Sequence, residues 1–141
     1  RAAGQSIRPP ATGAAKALTR IIPDLSEVTG GCGIRVPVPN GSLTDITFNV
    51  KRLVTIEDIN DAFKRASKNQ FKDIIEYTED PIVSIDIVGN SHSCIFDSQM
   101  TSVIGTMVKI IGWYDNETGY SQRIIDLLCN LSVKRCLLSI K

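Results

Sequence analysis

Histidine and cysteine are scarce in this chain, and their scarcity narrows the chemistry that the sequence can carry. The 141 residues contain one histidine, His92, and four cysteines without a Cys-x-x-Cys pair. A metal site needs three or four suitably spaced ligands, so no metal site is predicted. The cysteines are too few to hold a fold together through disulfides. We interpret them as free thiols of a reducing compartment, which predicts a cytoplasmic protein.

An excess of one charge and a long apolar run are also missing. Sixteen Lys and Arg residues stand against fifteen Asp and Glu, for a formal net charge of +1. That balance argues against nucleic acid as a partner, and any anion site must be local. No apolar run approaches the roughly 18 residues that a membrane-spanning helix needs, so no membrane partner is expected. The 43% of hydrophobic residues predicts an apolar core.

Strand patterns outnumber helix patterns in what remains. Strands are predicted at 34–38, 43–50, 82–88, 94–96 and 107–113, and helices at 13–22, 55–67 and from 117 to about 131. The turn sequence Pro39-Asn-Gly-Ser42 predicts that the first two strands pair with each other. Because βαβ alternation is missing, the α+β class is favoured.

Two predicted helix starts carry polar residues that could bind ligands. Thr12 and Gly13 offer a hydroxyl and free amide groups where a helix dipole favours anions, although taken alone a simple N-cap is the preferred interpretation. Asn116 is predicted to cap the last helix, next to Trp113 and Tyr120. Arg35 either lies solvated on an outer face, which is the preferred interpretation, or has an anionic partner. Each signal is weak on its own.

Known nucleotide-binding and reactive-thiol motifs give little support for a function. No Gly-x-Gly-x-x-Gly or phosphate-loop sequence is present. His92 and Cys94 would share one face of a strand, as a thiol and its base could. Their neighbours favour a turn that enters a core strand, so a structural role is the preferred interpretation.

Several motifs taken together resemble phosphorylating glyceraldehyde-3-phosphate dehydrogenase, in order and at the family's spacing. They are Arg1-Ala-Ala3, Thr12-Gly-Ala-Ala-Lys-Ala17, Ile34-Arg-Val-Pro37, Tyr77-Thr-Glu-Asp80, Asp86-Ile-Val-Gly89, His92-Ser-Cys-Ile-Phe-Asp97 and Trp113-Tyr-Asp-Asn-Glu-Thr-Gly-Tyr-Ser121. The resemblance implies a mixed, mostly antiparallel sheet with helices packed on one face. It assigns residues 1–141 to the C-terminal catalytic domain and leaves the N-terminal dinucleotide-binding domain absent. The missing initiator methionine agrees with a longer natural product.

The same resemblance implies a reaction. In the family a cysteine thiolate, activated by a histidine, attacks the aldehyde of glyceraldehyde 3-phosphate, hydride passes to NAD or NADP, and inorganic phosphate releases the acyl group. Neither that cysteine nor that histidine matches a residue here, so no catalytic residue is assigned and the chain alone is expected to be inactive. The family enzyme is a homotetramer.

Binding residues can be carried over position by position. Thr12, Gly13 and Arg35 match the family's phosphate-binding residues. Asn116 matches the residue that holds the nicotinamide carboxamide, and Tyr120 matches an aromatic near the same ring. Arg8 departs from the family, because it puts a charge at a position that is usually apolar.

Two alternatives remain open. The chain could be a truncated gene product that acts only as an interaction module or is an inert relic. It could also be a small redox or metal protein that uses His92 and Cys94.

Overall fold

The computed structural model describes residues 2–10, 13–26 and 28–138, in two compact units. The N-terminal unit, Arg1–Pro39, contains helix α1 (Ala14–Ile21) and two short 3-10 turns, Ala3–Gln5 and Pro23–Leu25. The C-terminal unit, Asn40–Lys141, contains β1 (Ser42–Asn49), α2 (Ile56–Lys68), β2 (Ile75–Thr78), β3 (Cys94–Ile104), β4 (Met107–Tyr114) and α3 (Asn116–Leu138). Among the described helices, none is long and apolar enough to cross a membrane.

The four strands form one sheet in the order β1-β4-β3-β2. β4 pairs antiparallel with both β1 and β3, whereas β2 runs parallel to β3. An irregularity in β3 between Asp97 and Ser102 interrupts its register with β4. The predicted α+β class, with a mixed and mostly antiparallel sheet, is confirmed.

Helix α2 packs on one face of this sheet and contributes two partly buried side chains to the core. It begins with a reciprocal capping box, in which Thr55 and Asp58 each accept a hydrogen bond from the other's backbone amide. From α2, Ile59 and Phe63 pack against buried Phe96 of β3 and its neighbours on β4. The Phe63 and Phe96 rings stack with 4.0 Å between their centroids. The sheet is therefore anchored by aromatic packing at its centre.

The strand predicted at 34–38 is not formed. Arg35 makes only an isolated antiparallel bridge to Arg8, and the rest of the segment is irregular. The hairpin predicted with 43–50 is therefore wrong as well, because β1 pairs with β4 instead. Pro37 and Pro39 cannot donate ladder hydrogen bonds, which explains why the β-branched pattern does not extend into a strand.

The strand predicted at 82–88 is also wrong, since residues 84–89 form consecutive turns. The Asp86 carboxylate accepts a hydrogen bond from the Val83 amide at 2.8 Å and closes the loop locally. This loop lies against Gly41, where φ is +90° and a Cβ would come 2.6 Å from the Ser84 carbonyl oxygen. Only glycine fits there, so the approach of the loop to β1 is built into the sequence.

Candidate functional site

The corner between β4 and α3 is anchored by Asp115 rather than by Asn116. Asp115 Oδ1 accepts hydrogen bonds from the amides of Glu117 at 3.1 Å and Thr118 at 3.0 Å, which is the contact of an N-cap residue. The prediction that Asn116 caps this helix is therefore wrong. β4 continues to Tyr114, so the transition residue is the next one, and Asn116 is the first helical residue.

The second carboxylate oxygen of Asp115 holds two other segments. Oδ2 accepts from the amide of Gly89 at 2.9 Å and from Asn40 Nδ2 at 3.1 Å. The side chain is only 2% exposed. The amides of Gly89 and Thr118 lower its pKa to about 2, against the opposing effect of burial. One ionised carboxylate thus ties α3 to the 82–89 loop and to the start of β1.

Anchoring of the corner leaves Asn116 and Tyr120 accessible. Asn116 is exposed, and Tyr120 is 69% exposed. They lie four residues apart in α3, so they occupy one face of its first turns. An amide offers a donor and an acceptor, and a tyrosine ring beside it offers an apolar surface. This pairing suits a flat ligand that carries a carboxamide.

Trp113, in the same aromatic stretch, has a structural role. Its indole Nε1 donates a hydrogen bond to Asp97 Oδ2 at 3.0 Å, and Asp97 is buried. The carboxylate satisfies the polar edge of a half-buried ring on the sheet. The aromatics of the corner therefore divide: Trp113 stabilises the sheet, and Tyr120 is available for binding.

The N-terminal unit carries the other predicted site residues. Gly13 occupies the N-cap position of α1 and, having no side chain, makes no side-chain capping hydrogen bond. Arg35 is exposed and bridges to Arg8 through its backbone. Thr12 lies outside the described residues. Gly13 and Arg35 thus belong to one unit, and Asn116 and Tyr120 to the other.

His92 and Cys94 have separate surroundings. His92 Nδ1 lies 2.9 Å from Asn90 Oδ1 and 3.2 Å from Glu76 Oε2. Burial raises the pKa of the Cys94 thiol, which favours the unreactive protonated form. A Cβ placed on Gly112 would approach the Cys94 sulfur to 2.6 Å, so the thiol is packed against β4. The contacts favour structural roles for both residues.

The described surface also contains a shallow groove of about 570 Å³ beside β2. Its lining includes Lys64, Lys68, Glu76 and His92, and none of Gly13, Arg35, Asn116 or Tyr120. Among the described residues, no cluster of three or more His, Cys, Asp or Glu could hold a metal ion. The groove therefore does not bring the predicted site residues together.

Sequence reasoning missed Asp115 and the Arg8–Arg35 bridge. Asp115 could have been recognised as a cap, since aspartate is as strong an N-cap residue as asparagine. To decide which of the adjacent residues Asp115 and Asn116 is the N-cap, one must know that β4 ends at Tyr114. The bridge had no local signal, because it joins positions that are distant in sequence.

Comparison with known proteins agrees with this architecture. A family described as "Glyceraldehyde 3-phosphate dehydrogenase, C-terminal domain" matches residues 1–116. The chain is 54% identical over 128 residues to glyceraldehyde-3-phosphate dehydrogenase 2 of Streptomyces avermitilis, covering 90% of this chain and 38% of that protein. It is 49% identical to glyceraldehyde-3-phosphate dehydrogenase of Mycobacterium avium, covering 91% of this chain and 38% of that protein. It thus spans well under half the length of these relatives. The chain belongs to the glyceraldehyde 3-phosphate dehydrogenase C-terminal domain family.

Proposed function

We propose that this chain is the catalytic-domain portion of a phosphorylating glyceraldehyde-3-phosphate dehydrogenase. In the complete enzyme it binds the phosphate groups of the substrates and positions the nicotinamide ring of NAD or NADP. The observation that carries the proposal is the Asp115-anchored corner, which presents Asn116 and Tyr120 together on an exposed helix face. The names of the relatives from Streptomyces and Mycobacterium support the activity.

The residues of the corner fit the nicotinamide group of the cofactor, which would accept a hydride when bound. The Asn116 amide can donate to the carboxamide oxygen and accept from its nitrogen. Tyr120 can contact the ring from one turn further along α3. Fixing the carboxamide fixes which ring face meets the substrate. The chain would thereby contribute orientation, while most cofactor contacts belong to a dinucleotide-binding domain.

The N-terminal unit supplies the proposed phosphate contacts. The first turn of α1 leaves backbone amides without an intrahelical acceptor, and Gly13 precedes that turn. Arg35 adds a guanidinium, which matches phosphate oxygens bidentately. Thr12 is assigned here from its sequence position alone. Glyceraldehyde 3-phosphate and inorganic phosphate are the proposed ligands.

Helix α3 offers a surface for a further domain or subunit. Its exposed apolar side chains include Ile124, Leu127, Leu128 and Leu131. Such a stripe on a soluble helix normally meets another protein surface. We propose that a dinucleotide-binding domain covers it in a cytoplasmic homotetramer. The isolated chain should therefore self-associate in light scattering, and a monodisperse monomer at high concentration would contradict this.

A chimeric enzyme tests the proposal. Residues 1–141 replace the matching C-terminal part of the Streptomyces avermitilis enzyme, which then supplies the cysteine nucleophile, the histidine base and the cofactor domain. We expect phosphate-dependent NADH formation from glyceraldehyde 3-phosphate, and only background from the isolated chain. A folded chimera that binds NAD but shows no turnover would oppose the proposal, and turnover by the isolated chain would show that a nucleophile had been overlooked.

The role of Asn116 is tested in the same chimera. Asn116→Ala should lower kcat/KM for NAD by about tenfold to a hundredfold, because one or two hydrogen bonds to the carboxamide are lost. Asn130→Ala is the matched control, since Asn130 is exposed on the same helix and should change little. Equal effects of the two substitutions on kcat/KM would show that Asn116 does not bind the carboxamide.

The alternative of a truncated gene product makes a different prediction. Genomic sequence upstream of Arg1 would then contain a stop codon. An open frame that encodes Gly-x-Gly-x-x-Gly and a cysteine nucleophile would instead support the enzyme.

A further inference from the structure

Arg8 and Arg35 face each other across a two-residue antiparallel bridge in the N-terminal unit. The Arg8 amide donates to the Arg35 carbonyl at 2.9 Å, and the Arg35 amide donates to the Arg8 carbonyl at 2.8 Å. This exchange defines a hydrogen-bonded pair, whose Cα atoms lie about 5.5 Å apart with both side chains on one face. The two side chains therefore leave the bridge on the same face, from which both guanidinium groups can reach one ligand.

The charges of this pair are not compensated within the described part of the unit. Like charges directly opposite one another destabilise a strand pair. Both arginines are exposed, and no ion pair joins either of them to a described acidic residue. The unit contains five basic and two acidic residues in its sequence, for a net charge of +3. A bound anion would turn the repulsion into attraction.

We propose that Arg8 and Arg35 form a two-guanidinium clamp for the dianionic phosphoryl group of a ligand, so that Arg8 is a binding residue in its own right. Each guanidinium can present parallel N–H donors to phosphate oxygens, and two such groups match the charge of a dianion. The phosphate role of Arg35 rests on the proposed function. The participation of Arg8 rests on the bridge.

The test is a titration of the isotopically labelled 141-residue chain with inorganic phosphate at constant ionic strength, followed through the arginine Nε–Hε NMR signals. We expect the Arg8 and Arg35 signals to shift along one saturation curve. Arg8→Gln should weaken phosphate binding by about tenfold, as expected for the loss of a charge-assisted contact. Arg8→Lys should recover only part of the affinity, because lysine lacks the fork. Arg20→Gln, which removes an exposed charge from the same unit, should have little effect.

Several results would overturn the clamp. Unchanged affinity in Arg8→Gln, alongside loss of binding in Arg35→Gln, would mean that Arg35 acts alone. Equal weakening by Arg8→Gln and Arg20→Gln would reduce the effect to net charge. Backbone signals of the variants report whether the bridge persists. If Arg8→Gln disturbs the bridge, Arg8→Lys still tests the clamp. An inactive chimera, together with Arg8 and Arg35 signals that respond to phosphate, would count against the proposed enzyme alone. An active chimera, together with unchanged phosphate affinity in Arg8→Gln, would count against the clamp alone.

Discussion

The two units of the molecule differ in how many buried residues they contain and in the sign of their net charge. The C-terminal unit carries a net charge of −2 and contains every buried hydrophobic residue of the described core, from Ile87 to Ile111. In the N-terminal unit no described side chain is buried, and the net charge is +3. The corner proposed to face the cofactor is therefore part of a packed sheet. The residues proposed to bind phosphate belong to a unit with little core, in which excess positive charge favours anions.

Removing a core aromatic should give the largest effect and sharpen this contrast. Phe96→Ala should lower the free energy of unfolding of the C-terminal unit by about 4 kcal/mol, because Phe96 is fully buried against Phe63. Ile21→Ala in the N-terminal unit should cost less than about 0.5 kcal/mol, since Ile21 is largely exposed. Amide hydrogen exchange of β4 and α1 measures both. Similar costs in the two units would break the comparison.

The Asp115 anchor should come second. Asp115→Ala should destabilise the C-terminal unit by about 3 kcal/mol, because an N-cap is lost and the Gly89 and Asn40 donors lose their acceptor. Urea unfolding followed through Trp113 fluorescence measures the change. Asn116→Ala is the control one residue away and should cost well under 1 kcal/mol, as its side chain is exposed. A stable Asp115→Ala variant would show that the corner is held by other contacts.

The acid dependence of the same residue should be smaller. The folded-state pKa of Asp115, about 2, lies below its ordinary value of 3.8. Its stabilisation is therefore fully present above pH 3.8 and is lost as the pH falls toward 2, by about 2 kcal/mol in all. Asp115→Asn should flatten the stability of the C-terminal unit over this range. Asp45→Asn, at an exposed pair with Lys109, should leave the slope nearly intact. A wild-type slope that survives Asp115→Asn would assign the acid sensitivity elsewhere.

Elements are predicted correctly from the sequence where the hydrophobic pattern and the capping or turn residues indicate the same structure. α2 has both a capping box and an amphipathic face, and β1 and β4 are bounded by turn residues, so these three were found nearly to the residue. The 34–38 and 82–88 segments were predicted wrongly because β-branched content competed with proline and with the Asp86 side chain. β2 was missed because its alternation of apolar and polar residues covers only four positions, the shortest length at which that pattern is informative.

The candidate site shows the same limit. Family resemblance indicated which side chains could bind ligands, and these remain predictions at Thr12, Gly13, Arg35, Asn116 and Tyr120. It could not show that Asp115 anchors the corner, nor that Arg8 lies opposite Arg35. Both depend on pairings between residues far apart in the chain, which no local pattern encodes.

The central claim is that the two units bind different parts of the same reaction's ligands. One NMR experiment tests it directly: the labelled chain is titrated separately with inorganic phosphate and with nicotinamide mononucleotide, a phosphorylated fragment of the cofactor. Phosphate should shift the signals of Gly13 and Arg35. The mononucleotide should additionally shift the Asn116 side-chain amide and the Tyr120 ring. Two results would contradict the account. In the first, the mononucleotide saturates the shifts of Gly13 and Arg35 but does not perturb Asn116 and Tyr120. In the second, inorganic phosphate shifts only signals of the C-terminal unit.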